Sequence, residues 1–154
     1  MNDYIQHMRS KVGQDMIILV GSGVFVYKDG QLLLQRRRDN GCWGIHGGGM
    51  NIGETTEGTA ARELLEETGL VAEKLELLGV FSGMDMLYTY PNGDQVCNVA
   101  ISYVCQEFSG QLLPQTDETL ELKWFAVDDI PDNISPPDKP AMAAFVAWVK
   151  ERDK

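Results

Sequence analysis

Three consecutive glycines at 47–49, followed closely by a helix that carries its own start and stop signals, constrain this chain more than any other stretch of it. Thr55 suits a helix N-cap, and Glu57 stands in the first turn, where the helix dipole favours an acid. Gly69 suits the left-handed position just past a helix end. A helix is therefore expected over residues 56–68, although Gly58 in its first turn costs about 1 kcal/mol relative to alanine. At roughly 100° per residue, Glu67 falls about 40° to one side of Glu63 and Glu66 about 60° to the other, so three carboxylates share one arc. Ala61, Leu64, Leu65 and Thr68 take the opposite side and are expected to pack on a sheet.

Like charges at this spacing disfavour a helix by a few tenths of a kcal/mol per pair, a penalty that a bound cation would relieve. Hard divalent cations take oxygen ligands, and Mg²⁺ usually combines one or two carboxylates with waters and substrate phosphates. The glycines upstream let backbone approach a ligand closely and present amides or carbonyls to a phosphate or a metal. Arg62 can hold Glu54 or Glu66 through a forked hydrogen bond. Alone, a glutamate-rich helix is more often a solvated face and a glycine run a turn. Their combination is what carries information.

Around this stretch the chain alternates short apolar runs and turn signals. Ile5, Met8 and Val12 have helical spacing and Gly13 ends their segment, so residues 1–14 read as an N-terminal helical extension. Residues 16–27 read as a strand, with Gly21 and Gly23 marking a bulge or bend. Asp29-Gly30 turns that strand into a second at 31–37. Loop residues 38–41 lead to Trp43-Gly44-Ile45 and the glycine run. Further strands are expected at 75–81, 86–90, 95–106 and 120–127, with a tight turn at 91–94. Met142, Phe145, Val146 and Val149 form one apolar stripe on a final helix at 138–152. The order points to one α+β domain spanning 1–154, with helices covering a mixed sheet.

Charge narrows the partners. The formal net charge is −10, so most of the surface repels nucleic acid, whereas divalent cations can bridge its carboxylates to a phosphate. The longest apolar run, residues 16–20, is too short to cross a bilayer, and the N-terminal sequence does not resemble a signal peptide. Cys42, Cys97 and Cys105 are odd in number, lack paired spacing and read as free thiols. A cytoplasmic location is expected, with no membrane partner.

Gly48, Glu54, Arg62, Glu63, Leu64, Glu66, Glu67, Gly69 and Leu70 fall in the spacing of the Nudix box. Chance alone yields such a match on the order of once in a million chains of this length. The chain thus resembles the Nudix (MutT-like) hydrolases, and the likeness is expected to run from about residue 16 to the C-terminus. It implies an α/β/α sandwich around a central mixed sheet. It also implies hydrolysis of a phosphoanhydride bond in a nucleoside diphosphate derivative, with Mg²⁺ or Mn²⁺ as cofactor. By the resemblance Glu63 and Glu67 are metal ligands, Glu66 is a ligand or close support, and Gly47-Gly48 contributes a backbone carbonyl. Arg62 and Glu54 hold the box together. Family members often recruit an acid from outside the box, and Glu118, in the segment 117–121, is the expected extra ligand or general base.

The partner is then a small nucleotide, with a homodimer left open. Tyr88 and Trp43 are the main candidates to stack on a base, with Tyr90 and Phe81 beside them, each weighed against a place in the core. Residues 84–87 lack the proline that many ADP-ribose pyrophosphatases carry downstream of the box. His46 stands where many family members have proline. It reads as a structural replacement, with substrate contact or titration near neutral pH as the alternative. The rival to an enzyme is a silent nucleotide-binding domain, but such relatives usually lack a box glutamate and this chain keeps all of them. A calcium-binding loop signature is absent.

Overall fold

The computed structural model describes residues 3–152; the expected bounds at 1 and 154 lie outside them. Its elements are α1 (Asp3–Val12), β1 (Ile17–Lys28), β2 (Gln31–Arg37), β3 (Trp43–Gly44), β4 (His46–Gly49) and α2 (Thr56–Thr68). β5 (Leu70–Phe81), β6 (Leu87–Thr89), β7 (Gln95–Gly110), β8 (Thr119–Ala126) and α3 (Lys139–Arg152) follow. A short 3₁₀ turn at Met84–Met86 precedes β6, and another at Pro136–Asp138 leads into α3.

All eight strands join one sheet. β1 runs parallel to β7 from Ile17↔Val96 to Val26↔Cys105, and the other pairings are antiparallel. The sheet is therefore mixed. Its decisive feature is a fork. β1 and β2 pair only at Val26↔Leu33 to Lys28↔Gln31 and then separate. The chain from 43 to 49 fills the gap, with β3 on β2 and β4 on β1 (Gly21↔Gly49 to Val24↔His46).

Residues 43–44 and 46–49, which carry no strand signal in the sequence, form β3 and β4. This fork also corrects one expectation. Gly21 and Gly23 mark no bulge, because the β1–β7 register is unbroken through them. Their role is close approach: a Cβ on Gly21 would sit 2.8 Å from the Gly48 carbonyl oxygen, and one on Gly23 would sit 2.6 Å from Ile45 Cδ1.

Both faces of the sheet are covered, which makes the α/β/α sandwich. β1 and β2 are apolar on both faces because each faces a helix. Val24, Val26 and Leu33 pack with Ala60 and Leu64 of α2. Phe25, Leu32 and Leu34 pack with Met142, Phe145 and Val149 of α3, and Phe25 stacks on Phe145 at 4.7 Å between ring centres. Cys105 is buried in the α2-side core, while Cys42 and Cys97 are half-buried, and all three are free thiols. No described helix is long and apolar enough to cross a membrane.

Candidate active site

α2 begins and ends where its local signals indicate. Thr55 Oγ1 accepts from the Gly58 N–H at 2.9 Å, and Gly69, at φ 83°, donates its N–H to the Leu65 carbonyl. The facing differs from expectation. Leu64 and Thr68 are buried, but Leu65 is half exposed, and Glu63 and Glu67 are buried, at 7% and 5% exposure. The helix is rolled so that two glutamates, rather than Leu65, meet the edge of the fork.

There the glycines receive them. Glu67 Oε2 accepts from the Gly47 N–H at 2.8 Å and from Gln35 Nε2 at 3.1 Å. The Glu63 carboxyl lies so close over Gly48 that a Cβ there would stand 2.6 Å from its carboxyl carbon. Burial, and then the neighbouring Glu63, push the Glu67 carboxyl well above the usual carboxylate range. Burial raises Glu63 as well, against the pull of Arg62.

Arg62 ties the segment together. It forks onto Glu54 through Nε (2.7 Å) and Nη2 (2.9 Å), donates to Glu63 Oε1 at 2.9 Å and reaches the Gly49 carbonyl at 3.1 Å. Those bonds hold Glu54 at about 2, helped by the Asn51 N–H. Glu66 is the outermost glutamate, with its side chain 54% exposed and 3.4 Å from Arg62.

A polar cavity of about 340 Å³ opens beside Glu67, lined by Gln35, Arg37, Arg38, Asp39, Asp117 and Glu118. Glu118 is exposed, yet near enough that its charge acts on both Glu63 and Glu67. Arg37 pairs with Asp39 at 2.7 Å, and Arg38 donates to Gln115 and to the Thr116 carbonyl. Sequence reasoning passed over Gln35, Arg37 and Arg38. Gln35 had a signal: it follows Leu32-Leu33-Leu34 in an apolar strand and is only 2% exposed. It also accepts from Thr119 Oγ1 at 2.5 Å and donates to the Ile45 carbonyl at 3.0 Å.

A second cavity of about 130 Å³ lies on the α3 side of the fork, and Arg37 lines it too. Its other lining includes Leu19, Ile45, Met86, Tyr90, Asn98, Ser102 and Asp138, with the backbone of Gly47 to Gly49. Among the described residues neither Tyr88 nor Trp43 lines either cavity. The Tyr88 hydroxyl accepts from Asn40 Nδ2 at 3.1 Å, and its ring meets Tyr90 edge-on at 4.9 Å. Trp43 packs edge-on against Phe125 and, like Phe81, on the α3-side core.

His46 is fully buried, its Nε2–H donating to the Leu33 carbonyl at 3.0 Å, and burial lowers it to about 4. It is a core residue whose burial disfavours the charged imidazole, which favours the structural reading over titration near neutral pH. His7 is exposed on α1.

Asp138 accepts the Ile45 N–H at 3.2 Å, and burial raises its carboxyl to about 6. A carboxyl raised in the folded state disfavours folding once the unfolded chain ionises more readily than the native one. Wild-type stability should therefore fall as pH rises from the ordinary aspartate range to about 6. Asp138→Asn keeps an acceptor for Ile45 and should remove that part of the slope in thermal melts, which is seen as a difference between the two proteins across this window. Parallel melting curves would contradict it.

Among the described residues no three His, Cys, Asp or Glu side chains stand together in ligating geometry, since Glu63 leans on Arg62 and Glu66 faces solvent. The donor set still suits a hard divalent cation. It offers two buried carboxylates on consecutive helical turns, a third acid nearby, and Glu67 held by neutral donors.

The NUDIX domain family matches residues 18–149. A MutT-like protein of Streptomyces ambofaciens is 35% identical over 114 residues, covering 74% of this chain and 67% of that protein. An ADP-ribose pyrophosphatase of Methanocaldococcus jannaschii is 33% identical over 109 residues, covering 69% of this chain and 60% of its own length. The crystal structure of a MutT NUDIX hydrolase from Burkholderia pseudomallei superposes with a TM-score of 0.71 at 32% identity. That match covers 83% of this chain and 98% of the other. With its box segment folded as loop, helix and turn against a forked mixed sheet, and the match running from β1 into α3, the chain belongs to the Nudix hydrolase family.

Proposed function

We propose that this protein is a pyrophosphohydrolase that uses Mg²⁺ or Mn²⁺ to cleave a phosphoanhydride bond in a nucleoside diphosphate derivative. The observation that carries the reading is the burial of Glu63 and Glu67 against Gly48 and Gly47, with Glu67 on the wall of a cavity that also presents two arginines. Two buried carboxylates without a full complement of cations destabilise a fold, so such an arrangement persists where function requires it.

In this reading Glu63 and Glu67 hold the cation, the Gly48 carbonyl adds a donor, and Glu66 is an outer ligand or support. A bound divalent cation supplies charge neutralisation of the diphosphate and a lowered water pKa. Glu118 faces the same cavity and accepts the proton of the attacking water. Arg37 and Arg38 attract phosphate oxygens, while Arg62 positions Glu54 and Glu63. The Gly47 N–H is engaged by Glu67, so its part is to orient that carboxylate. The group beyond the diphosphate is read in the second cavity, which Arg37 joins to the first; Tyr90 forms part of its wall, and Tyr88 backs Tyr90. Trp43 shapes the fork. The relative named an ADP-ribose pyrophosphatase supports the substrate class.

A hydrolysis panel of nucleoside triphosphates, ADP-ribose, sugar nucleotides and dinucleoside polyphosphates tests the proposal, with products separated chromatographically. Turnover should require the cation, vanish in excess EDTA and return with Mg²⁺ or Mn²⁺. Undiminished turnover in EDTA, or none on any member of the panel, would overturn it.

A further inference from the structure

Gln35 stands near the end of β2, after three leucines, and its amide is buried between three segments of the chain. A polar group is retained in such a place where its atoms are matched, and both ends of this amide are. Nε2 donates to the Ile45 carbonyl at 3.0 Å and to Glu67 Oε2 at 3.1 Å, while Oε1 accepts from Thr119 Oγ1 at 2.5 Å. The Ile45 carbonyl can only accept, which fixes the nitrogen on that side.

Thr119 is 0% exposed and opens β8 directly after Glu118. The β2–β8 register shifts between Arg36 and Arg37, opposite Glu121 and Thr119, so an unbroken ladder does not set the position of this segment. Local bonds do. The Glu118 carbonyl accepts the Arg38 N–H at 3.1 Å, the Thr119 N–H donates to Thr116 Oγ1 at 3.2 Å, and the Thr119 hydroxyl anchors the segment inward on Gln35. The exposed Glu118 side chain is carried by that anchored backbone, and Gln35, Glu67 and Glu118 line one cavity. Thr119 to Gln35 to Glu67 is thus a chain of donors pointing one way, in which each bond polarises the next.

Resting on the hydrolase reading above, we propose that Gln35 and Thr119 are positioning residues that act as one unit, fixing the Glu67 carboxylate for its cation and the Glu118 segment for the attacking water.

The test reads Mn²⁺ affinity by electron paramagnetic resonance, which needs no turnover. Beside it stand kcat and KM for the best substrate of the hydrolysis panel at saturating Mn²⁺. Thr119→Val keeps the shape and removes only the hydroxyl; Gln35→Met removes the amide and keeps its length. Each should weaken Mn²⁺ binding by about tenfold and lower kcat by about ten- to a hundredfold, with KM within about threefold. Thr119→Ser, which keeps the hydroxyl, should stay near the wild type in both readouts. In the double variant Thr119→Val/Gln35→Met the losses should not add, because the second change has no chain left to break. Melting curves without cation give the folded fraction to which each value is referred. Should Gln35→Met fail to fold, the contrast between Thr119→Val and Thr119→Ser decides alone. Mn²⁺ affinity and kcat per folded molecule that are unchanged in Thr119→Val, or losses that simply add, overturn the unit even if hydrolysis proceeds. Coupled losses of Mn²⁺ affinity in a protein that hydrolyses nothing support the unit and overturn the hydrolase reading alone.

Discussion

Replacing Glu67 with glutamine is expected to lower kcat by about a hundredfold or more while KM changes little, since the lost charge acts on the reacting diphosphate. The substitution keeps the shape, and a glutamine oxygen can still accept from the Gly47 N–H and from Gln35. The metal-free variant should be no less stable than the parent at neutral pH. Glu67 is 5% exposed, its carboxyl is raised by burial and by Glu63, and folding therefore disfavours the ionised form. Cations should raise the melting temperature of the wild type more than that of the variant, because stabilisation by a ligand follows its affinity for the folded state. A variant that melts earlier yet keeps its kcat would show that Glu67 is part of the scaffold.

The second large effect separates two adjacent glycines. A methyl on Gly48 would stand 2.6 Å from both the carboxyl carbon and Oε1 of Glu63. The far end of a flexible side chain can yield, so Gly48→Ala should leave the fold in place and displace Glu63 from its position beside Arg62. Activity should drop by about a hundredfold with little change in melting temperature. A methyl on Gly47 meets backbone instead, the Ser22 carbonyl and, at 2.7 Å, the Gly23 Cα. Backbone cannot step aside without opening the β1–β4 ladder, so Gly47→Ala should cost roughly 1–3 kcal/mol of stability. Equal losses of activity and stability in both variants would mean that the glycines serve packing alone.

The contrast between these glycines shows where the sequence stops being informative. The bounds of α2 are legible because caps are local: Thr55 bonds three residues on, and Gly69 adopts its left-handed conformation next to the helix that it ends. β2 and α1 are legible for the same reason, each bounded by a glycine turn. The clustering of Glu63, Glu66 and Glu67 follows from helical geometry, and their spacing to Arg62, Glu54 and Gly48 carries the family.

Which way that cluster points was not in the pattern. Counting angles puts Leu65 opposite the acids, yet Leu65 is exposed and Glu63 and Glu67 are buried, because the fork offers donors and open glycine backbone at their level. β3 and β4 were invisible because they have no side-chain period; they exist only where β1 and β2 part. The cavities needed the fold most. Arg37 and Asp138 are a hundred residues apart in the chain and line one cavity, and Glu118 meets Glu67 across another. By itself the sequence determined the local elements and the chemical kind of the site, since caps, turns and helical spacing act over a few residues. Only tertiary packing decided which acids are buried, which arginines join them and what closes the pocket, because those depend on contacts between segments that no local period links.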